Sequence, residues 1–286
     1  MAQNTTTNNS ELFTKLLADA QFAAYESSVS RQLVNNFSYP TGAGKVMQVP
    51  IWASVAAADL TDGTAPTAIG TNTTSVDITL AEIGTYFDVT DMLRDSSERD
   101  VMADLGFNAG QAIAEKIDTD VFALFASFSA SVGTEDSPIT VDNFFEAVST
   151  LRAAKVTGPL AAVVSPRQAL QLKKLLTHST TGAGLAASEI GNSTLRQYYI
   201  GSLAGCQVFE SSLVKRDLDS NSNSELNAVG AVFAPSAIGY AQRGTINMQT
   251  QYQVAKRSTD VMMSMVKGEA ILQNAHGVKL LGSDSD

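Results

Sequence analysis

Residues 101–125, VMADLGFNAGQAIAEKIDTDVFALF, decide the architecture of this chain. Apolar side chains recur there at every fourth position, at Val101, Leu105, Ala109, Ile113, Ile117, Val121 and Phe125. Polar residues fall between them, and we expect Asp118 to lie with these on a solvated face. The spacing predicts one amphipathic helix over residues 97–126, with Ser96 or Ser97 as its cap and an apolar stripe that extends over about 28 residues, or ~40 Å at ~1.5 Å per residue.

Upstream of this helix the hydrophobic period changes to two, which predicts extended strands. One extended run covers residues 46–53, and a second covers residues 75–90, where Val76 and Ile78 point to the same side. We interpret them as the two arms of one long hairpin at residues 45–93. Because an isolated two-stranded ribbon is only marginally stable in water, we expect this hairpin to project and to lie on a neighbouring copy.

Residues 1–44 have the character of an arm. A polar tail leads into a helical pattern from about Glu11, which carries Leu12, Leu16 and Leu17 on one face. This apolar face needs a host surface. We expect both the arm and the hairpin to find that surface on sister molecules and not within their own protomer.

Downstream of the long helix the pattern predicts mixed α and β structure. Thr140 can cap one helix, and a buried strand at residues 160–164 leads through Ser165, a second cap, into a helix at residues 166–176. In that helix we expect Lys173 to point outward. The last third is mostly β, with strands expected at residues 229–233, 245–253, 261–266 and 277–281. These elements predict an α+β fold.

The bulk composition excludes several classes of function. With 29 acidic and 19 basic residues the chain carries a net charge of -10, so it repels phosphate and does not suit a dedicated nucleic-acid reader. The single cysteine, Cys206, cannot form an internal disulfide. No apolar run approaches the roughly 20 residues that span a bilayer, and the start lacks the blocks of a secretory signal, so we expect no membrane association.

Three sequence patterns suggest a phosphate, catalytic or calcium site, but each is better explained by a structural role. The glycine-rich stretch at residues 41–45 lacks the spacing and the strand-to-helix context of a phosphate loop, so we interpret it as a hinge. Cys206 with His178 or His276 could form a catalytic pair, but a small thiol in an apolar run is more commonly buried and unreactive. The alternating oxygens at residues 217–225 lack the glycine and the final glutamate of a calcium loop, which favours a solvated loop. We therefore expect no catalytic residue, no cofactor and no metal.

The order of the predicted elements and motifs along the chain resembles that of a known protein family. Besides the arm, the hairpin and the long helix, four motifs occur in order: AAVVSPRQAL at 161–170, GSLAGCQVF at 201–209, GAVFAPSAIGY at 230–240 and GEAILQNAHGVK at 268–279. Together they resemble the major capsid proteins of tailed phages, whose Hong Kong ninety-seven-type fold is also that of encapsulin compartments. The resemblance covers nearly the whole chain.

The resemblance implies five parts, which are an N-terminal arm (1–44), an extended hairpin loop (45–93), the spine helix with the first part of a peripheral domain (94–137), an axial domain (138–240) and C-terminal strands of the peripheral domain (241–286). It implies that copies form hexamers and pentamers, which close an icosahedral shell around double-stranded DNA. The hairpin would overlie one neighbour and the arm would reach another. We expect the inter-subunit positions to include Leu12, Leu16, Val49, Ile51, Trp52, Asp59, Asp62, Val76 and Ile78.

Two departures from the family pattern shape the expected partners. Some relatives crosslink through a hairpin lysine, but residues 46–93 contain no Lys, so we expect a shell held by noncovalent contacts. Some relatives carry a long helical scaffolding segment, whereas only the short arm precedes this hairpin, so we expect a separate scaffold protein. A portal and optional decoration proteins complete the expected partners. The acidic charge predicts weak, non-specific contact with packaged DNA, and we expect assembly in the host cytoplasm.

Three alternatives stay open on the sequence alone. An encapsulin-like compartment would share the fold and enclose a protein cargo. A small α/β hydrolase would use Cys206 or a serine with His178 or His276. A surface-layer or tail subunit is compatible with the abundance of Thr and Ser, although a long helix behind a hairpin favours the shell.

Overall fold

The computed structural model of the chain describes residues 17, 20, 28–52, 57, 59, 62, 73–96, 101–177, 201–218 and 226–284. Its α-helices are α1 (Ser30–Leu33), α2 (Asp91–Ser96), α3 (Val101–Ala123), α4 (Val141–Ala153) and α5 (Pro166–Thr177). Its strands are β1 (Asn35–Ser38), β2 (Val46–Trp52), β3 (Thr73–Thr79), β4 (Ala81–Thr90), β5 (Ala130–Val132), β6 (Leu160–Val164), β7 (Ser202–Leu203), β8 (Cys206–Glu210), β9 (Arg216–Leu218), β10 (Leu226–Phe233), β11 (Ile238–Gln253), β12 (Ser258–Ile271) and β13 (Gly277–Ser283). Short 3-10 helices lie at Leu124–Ser127, Pro235–Ala237 and Asn274–His276. This mixture is the α+β class that the sequence predicts.

The long helix α3, the spine of the fold, carries the predicted apolar stripe. Ala109, Ile113 and Ile117 are buried along it, and Phe125 in the 3-10 helix that follows is also buried. These side chains share one core with the neighbouring sheet. The spacing of four residues in the sequence therefore identifies the buried side of the helix correctly.

The predicted start of the spine helix, residues 97–100, lies outside the described residues. The described part of the helix begins at Val101. Upstream of it, the separate short helix α2 follows directly on β4 and ends at Ser96, one of the two predicted caps.

The spine helix packs on a four-stranded sheet with the strand order β1-β11-β12-β4. β11 and β12 form a long antiparallel pair, β4 joins β12 antiparallel, and β1 joins β11 parallel. Along β12, Val261, Met263 and Met265 are buried while Met262 between them is exposed. This alternation is that of a sheet with one face in the core.

The predicted second arm of the hairpin is two strands and not one. β3 ends at Thr79 and β4 begins at Ala81; between them, the Leu80 N–H donates to the Lys45 carbonyl at 2.8 Å. β3 pairs with β2, whereas β4 pairs with β12 in the four-stranded sheet. The more buried positions are even-numbered in β3 and odd-numbered in β4, with Ala81 and Glu82 both exposed, so this change of phase marks the change of partner. The hairpin is therefore limited to residues 46–79, which we call the ribbon.

A second sheet holds β5, β13, β10, β6, β8 and β7 in that order, with β9 also paired to β10. β13 pairs antiparallel with β10 and parallel with β5. The expectation that residues 241–286 belong with the strands packed on the spine helix therefore needs correction at β13. Val278 and Leu280 of β13 are buried in the core of the second sheet.

The two helix caps predicted downstream of the spine helix are present. The Thr140 hydroxyl accepts a hydrogen bond from the Asn143 N–H at 3.2 Å at the start of α4. The Ser165 hydroxyl accepts one from the Gln168 N–H at 3.2 Å at the start of α5. Such caps satisfy backbone donors that have no partner within the helix.

Lys173 of α5 is buried, although the sequence pattern predicts an outward side chain. Its ammonium lies 2.7 Å from the Glu210 carboxylate at the end of β8. The helical period shows that Lys173 is on the polar side of α5, but it does not show that a strand supplies a carboxylate there. The contact fastens α5 to the second sheet.

The chain crosses between the two sheets at two turns that touch each other. Pro235–Ala237 links β10 to β11, and Asn274–His276 links β12 to β13. The Ala234 N–H donates to the His276 carbonyl at 3.0 Å, and the Ser236 hydroxyl lies 2.7 Å from His276 Nδ1. These contacts hold the two crossings side by side.

Aromatic rings fill the joint between the sheets. The Phe125 ring lies 5.3 Å from the Phe233 ring and 6.2 Å from the Phe128 ring between centroids. Gly277 lies directly against Phe128, where a β-carbon would clash with the ring. Aromatic pairs of this kind contribute ~0.5–1.5 kcal/mol beyond the area they bury. The end of the spine helix is thus packed against both sheets at one place.

Asp118 holds the segment before β1 against the spine helix. Its carboxylate accepts hydrogen bonds from the Ser28 hydroxyl at 2.7 Å, the Val29 N–H at 3.0 Å and the Ser30 hydroxyl at 2.6 Å. Only 3% of Asp118 is exposed, so the prediction of a solvated position is wrong here. These donors are required, because a buried carboxylate without partners is strongly destabilising.

Part of the arm therefore packs on its own protomer. Ala20 is fully buried, and Leu17 packs against the same core as the spine helix. The expectation that the arm finds its apolar surface only on sister molecules is wrong for these residues. It is also wrong for residues 28–30, which Asp118 anchors.

Replacing Asp118 with Ala should lower the free energy of unfolding by about 3 kcal/mol, because two serine hydroxyls and two backbone N–H groups lose a buried acceptor. Denaturant unfolding followed by circular dichroism measures this change. Asp104→Ala, at an exposed acidic position of the same helix, is the control and should change the value by less than about 0.5 kcal/mol. Equal losses from the two substitutions would show that Asp118 does not anchor the arm.

Candidate assembly surfaces

The ribbon has one apolar face. In the register of β2 and β3, Met47 lies opposite Ile78, and Val49 lies opposite Val76. Ile51 continues this face along β2. The positions that alternate with these residues on the two strands are all exposed. The period of two therefore separates one apolar side from one solvated side, as strand geometry requires.

The root of this face is covered by the same chain. Ile78 is 0% exposed, and Met47 and Val49 are partly buried beside it. The covering residues come from β1, β11 and β12 and the positions next to them: Phe37, Tyr39, Ala241, Val266, Ala270 and Leu272. The predicted inter-subunit role of Ile78 is therefore corrected, because no part of its side chain is accessible to another copy. The ribbon finds part of its apolar counterpart within its own protomer.

The outer end of the same face is open. Ile51 and Val76 are only partly buried, and among the described residues neither joins a hydrophobic core cluster. Trp52, the last residue of β2, is 69% exposed on the opposite side of the ribbon. An exposed tryptophan next to uncovered aliphatic side chains is the composition of a protein contact surface.

The remaining predicted contact residues lie further out or outside the described parts. Asp59 and Asp62, in the segment between the two strands, are exposed. Leu12 and Leu16 fall outside the described residues, so their role as arm contacts stays a prediction. The structure thus brings Val49, Ile51 and Val76 together on one face and leaves Trp52, Asp59 and Asp62 accessible.

The glycine-rich stretch at residues 41–45 turns the chain from β1 into the ribbon. Gly42 and Gly44 both have φ of 90°, a conformation that favours glycine. Arg243 of β11 donates a hydrogen bond to the Gly44 carbonyl and lies over the Tyr39 ring, 5.2 Å from its centroid. The stretch joins two strands, which agrees with the hinge interpretation and not with a phosphate loop.

A buried lysine fastens the spine helix to β12 next to the ribbon root. Lys267 is 2% exposed, and its ammonium lies 2.6 Å from Asp120 on the spine helix and 3.0 Å from Glu269. Burial alone would raise the pKa of Asp120, but hydrogen bonds from Lys116 and Lys267 outweigh it and hold the pKa below its usual range. The two carboxylates supply the partners that a buried ammonium needs.

The candidate nucleophile and base are held in structural contacts. Cys206 is fully buried, and burial raises the pKa of its thiol, against a smaller opposing effect of the Arg152 charge. His276 contacts Ser236 at the crossing between the sheets, and burial lowers the pKa of its imidazole. His178 lies outside the described residues. In these positions the residues stabilise the fold.

The calcium-loop pattern is interrupted by a strand, because Asp217 belongs to β9, and residues 219–225 lie outside the described residues. Across the described ranges, no group of three or more His, Cys, Asp or Glu residues is placed to hold a metal ion. None of the helices in the described parts is both long and apolar enough to cross a membrane.

Comparisons with known proteins match the fold and most of the chain. The model of a phage capsid protein family matches residues 73–264. A search of curated proteins gave no match. A solved structure from Mycobacterium phage Che8 shares 20% identity, with 83% of this chain and 84% of that chain covered and a TM-score of 0.64. The capsid structure of cyanophage P-SCSP1u shares 16% identity over 88% and 87%, with a TM-score of 0.68.

A virus-like particle from Pyrococcus furiosus is similar as well. It shares 12% identity, with 93% of this chain and 98% of that chain covered and a TM-score of 0.59. At such identities the likeness establishes the fold, and it is the fold that the order of sequence motifs predicts.

Replacing Gly268 with Ala should lower the free energy of unfolding by about 1–3 kcal/mol, because the new methyl group would overlap the Thr79 carbonyl at the ribbon root. Thermal or denaturant unfolding measures the loss. Gly158→Ala is the matched control, since open space surrounds that glycine. Similar stability of the two variants would contradict a tight contact between β12 and the ribbon.

Proposed function

The chain belongs to the phage capsid protein family, and on that premise we propose that its copies form the hexamers and pentamers of an icosahedral shell that encloses viral double-stranded DNA. As a structural capsid protein, it acts through contacts between copies. The observation that carries the proposal is the uncovered outer end of the ribbon, where Ile51, Val76 and Trp52 meet solvent.

The ribbon requires a second surface to cover its apolar face. A two-stranded ribbon has no sheet of its own to cover its apolar face, and the protomer covers only the root. Burying a large apolar side chain contributes roughly 1.5–3 kcal/mol, and a shell repeats that contribution at every subunit contact. A neighbouring copy that covers Ile51 and Val76 would therefore complete the apolar face of the ribbon and link two subunits in one step, and Trp52 offers a second contact on the opposite side.

The arm would form a second contact between copies. Asp118 fixes residues 28–30 on the spine helix, so the point where the arm leaves this anchor is set by the protomer. The pattern of Leu12 and Leu16 predicts an apolar helical face before that point. We place this face on another neighbour, so that each subunit is tied to two others.

The charge of the chain supports a shell that does not hold its contents tightly. A net charge of -10 repels DNA phosphates on average. A strongly basic inner wall would bind the genome and hinder its packaging or release. We therefore propose weak, non-specific contact between the shell and the packaged DNA.

Further partners belong to the assembly pathway. We propose that a separate scaffold protein sets the curvature of the shell, that a portal provides the entry for DNA and that assembly takes place in the host cytoplasm. Decoration proteins are an optional addition. An encapsulin-like compartment of the same fold is the alternative, and the contents of purified particles, nucleic acid or protein, distinguish the two.

Trp52→Ser should leave the protomer folded and impair its association. The exposed tryptophan contributes little within the protomer, so the unfolding midpoint should stay within the change typical of surface substitutions, under ~0.5 kcal/mol. The fraction of chains in rings and shells, measured by mass photometry and electron microscopy, should fall. Trp52→Phe keeps an apolar surface and is the control. Undiminished assembly of Trp52→Ser would contradict the ribbon contact.

Shells of this chain should release monomers when they are boiled in denaturing detergent, because the ribbon between residues 46 and 79 contains no lysine for a crosslink. Gel electrophoresis of purified particles measures this. A ladder of covalent multimers would overturn the noncovalent shell.

A further inference from the structure

The turn at residues 40–45, which joins β1 to the ribbon, is not held by side-chain packing within the described parts of the chain. All six residues are exposed. Gly42 and Gly44 have a φ of 90°, and a β-carbon added at either glycine would meet no atom within 4 Å. The path of the chain into the ribbon must therefore be fixed in another way.

Two side chains fix this turn by polar contacts. The Tyr39 hydroxyl lies within hydrogen-bond distance of the Ala43 carbonyl and of the Val46 carbonyl, the second at 3.0 Å. The Arg243 guanidinium donates to the Gly44 carbonyl and lies over the Tyr39 ring, 5.2 Å from its centroid. We call Tyr39 and Arg243 the clasp. The clasp holds the turn at three backbone carbonyls.

Both residues of the clasp are anchored to the four-stranded sheet. Arg243 lies in β11, paired with Val266 of β12, and the register of the two strands shifts directly after it. Tyr39 follows β1, and its N–H donates to the Gln242 carbonyl at 3.0 Å. The clasp therefore connects the turn to strands that do not belong to the ribbon.

The clasp and the ribbon root restrain the ribbon in different ways. At the root, Ile78 and Leu80 share an apolar cluster with Ala241. Apolar contacts are not directional, whereas hydrogen bonds weaken steeply at poor angles and a guanidinium must lie over the face of a ring. The root therefore gives the ribbon its general direction, and the clasp sets the angle within that direction.

Stability of the protomer alone does not account for Arg243. Its Nε is buried and has no hydrogen-bond partner among the described residues. A buried donor without a partner is destabilising. A guanidinium that is kept at this cost, and that bonds to the turn on which the ribbon depends, is explained by the position it gives to the ribbon.

The length of the ribbon makes this angle important for assembly. β2 runs for seven residues from Val46 to Trp52, which places its outer end ~20 Å from the turn at ~3.3 Å per residue. A change of ~10° at the turn would displace that end by ~3.5 Å over such a length. This is about the length of one residue, and every copy in a shell would repeat the error.

We propose that Arg243 is a positioning residue that, together with Tyr39, sets the angle at which the ribbon leaves the protomer, and that this angle determines whether copies close into shells of one size. The inference rests on the proposed function, because it names the residue that controls the contact between copies. It concerns the protomer and applies to whichever surface of a neighbour receives the ribbon.

Spin labels on the free protomer test the first part. Ser75→Cys on the ribbon and Thr119→Cys on the spine helix are exposed positions, and the native Cys206 is fully buried and stays unlabelled. Pulsed electron paramagnetic resonance gives the distribution of distances between the labels. Arg243→Ala should make this distribution roughly twofold wider, because the guanidinium no longer holds the turn.

Arg31→Ala is the matched control. It removes another guanidinium next to β11, one that lies over the Tyr240 ring and donates to the Gln242 side chain at 2.6 Å. This variant should leave the distance distribution unchanged. Tyr39→Phe, which removes one hydroxyl and keeps the ring under Arg243, should widen the distribution and serves as a second variant if Arg243→Ala lowers the unfolding midpoint more than the control does.

Electron microscopy of assembled particles tests the second part. Wild-type particles should have one diameter, whereas Arg243→Ala should give mixed diameters and open sheets. Arg243→Lys keeps the charge but loses the planar group over the ring, so its particles should be intermediate. Arg243→Ala combined with Tyr39→Leu should be no worse than either substitution alone, because both remove the same clasp.

The outcomes separate this inference from the proposed function. An unchanged distance distribution in Arg243→Ala and in Tyr39→Phe would overturn the positioning role. A wider distribution with particles of uniform size would overturn the link between the angle and closure. Either result would leave the proposed function standing. A wild-type chain that never assembles would refute the proposed function, and the distances in the protomer would still decide whether the clasp sets the angle.

Discussion

A two-stranded ribbon cannot cover its own apolar face, and the rest of the structure is arranged around this constraint. The protomer covers the root of the face, where Ile78 is completely buried, and leaves the outer end with Ile51 and Val76 uncovered. The root therefore fixes the direction of the ribbon, and the outer end supplies the free energy of association. A chain that buried the whole face would have no apolar surface left there for a second copy. A chain that buried none of it would have a ribbon that is only marginally stable in water.

The ribbon can act between copies only because its base is rigid. The spine helix is fastened to β12 by the pair of Asp120 and Lys267, and to the segment before β1 by Asp118. Directly after these contacts the helix leads into the aromatic joint around Phe125, where both sheets and both crossings meet. A displacement of the ribbon root would therefore be resisted by two sheets at once, which is what accurate repetition over many subunits requires.

The sequence pattern was enough to predict those features that depend only on residues near one another in the chain. The stripe of the spine helix and the caps Thr140 and Ser165 follow from spacing and side-chain chemistry, and the structure confirms them. Asp118 could not be predicted, because its donors lie about 90 residues away and a buried carboxylate has the same helical position as a solvated one. The division of residues 75–90 into two strands does have a sequence signal, because the apolar positions change from even to odd numbers after Leu80. Alternation reports which side is apolar, but it does not report which strand is the partner.

Hydrogen exchange in free protomers and in assembled shells tests the central claim most directly. The account predicts that backbone amides at residues 49–52 and 73–76 exchange more slowly in the shell than in the protomer. Residues 28–30, which Asp118 anchors within one chain, should exchange alike in both states. Unchanged exchange at the outer end of the ribbon on assembly would contradict the claim that a second copy completes its apolar face.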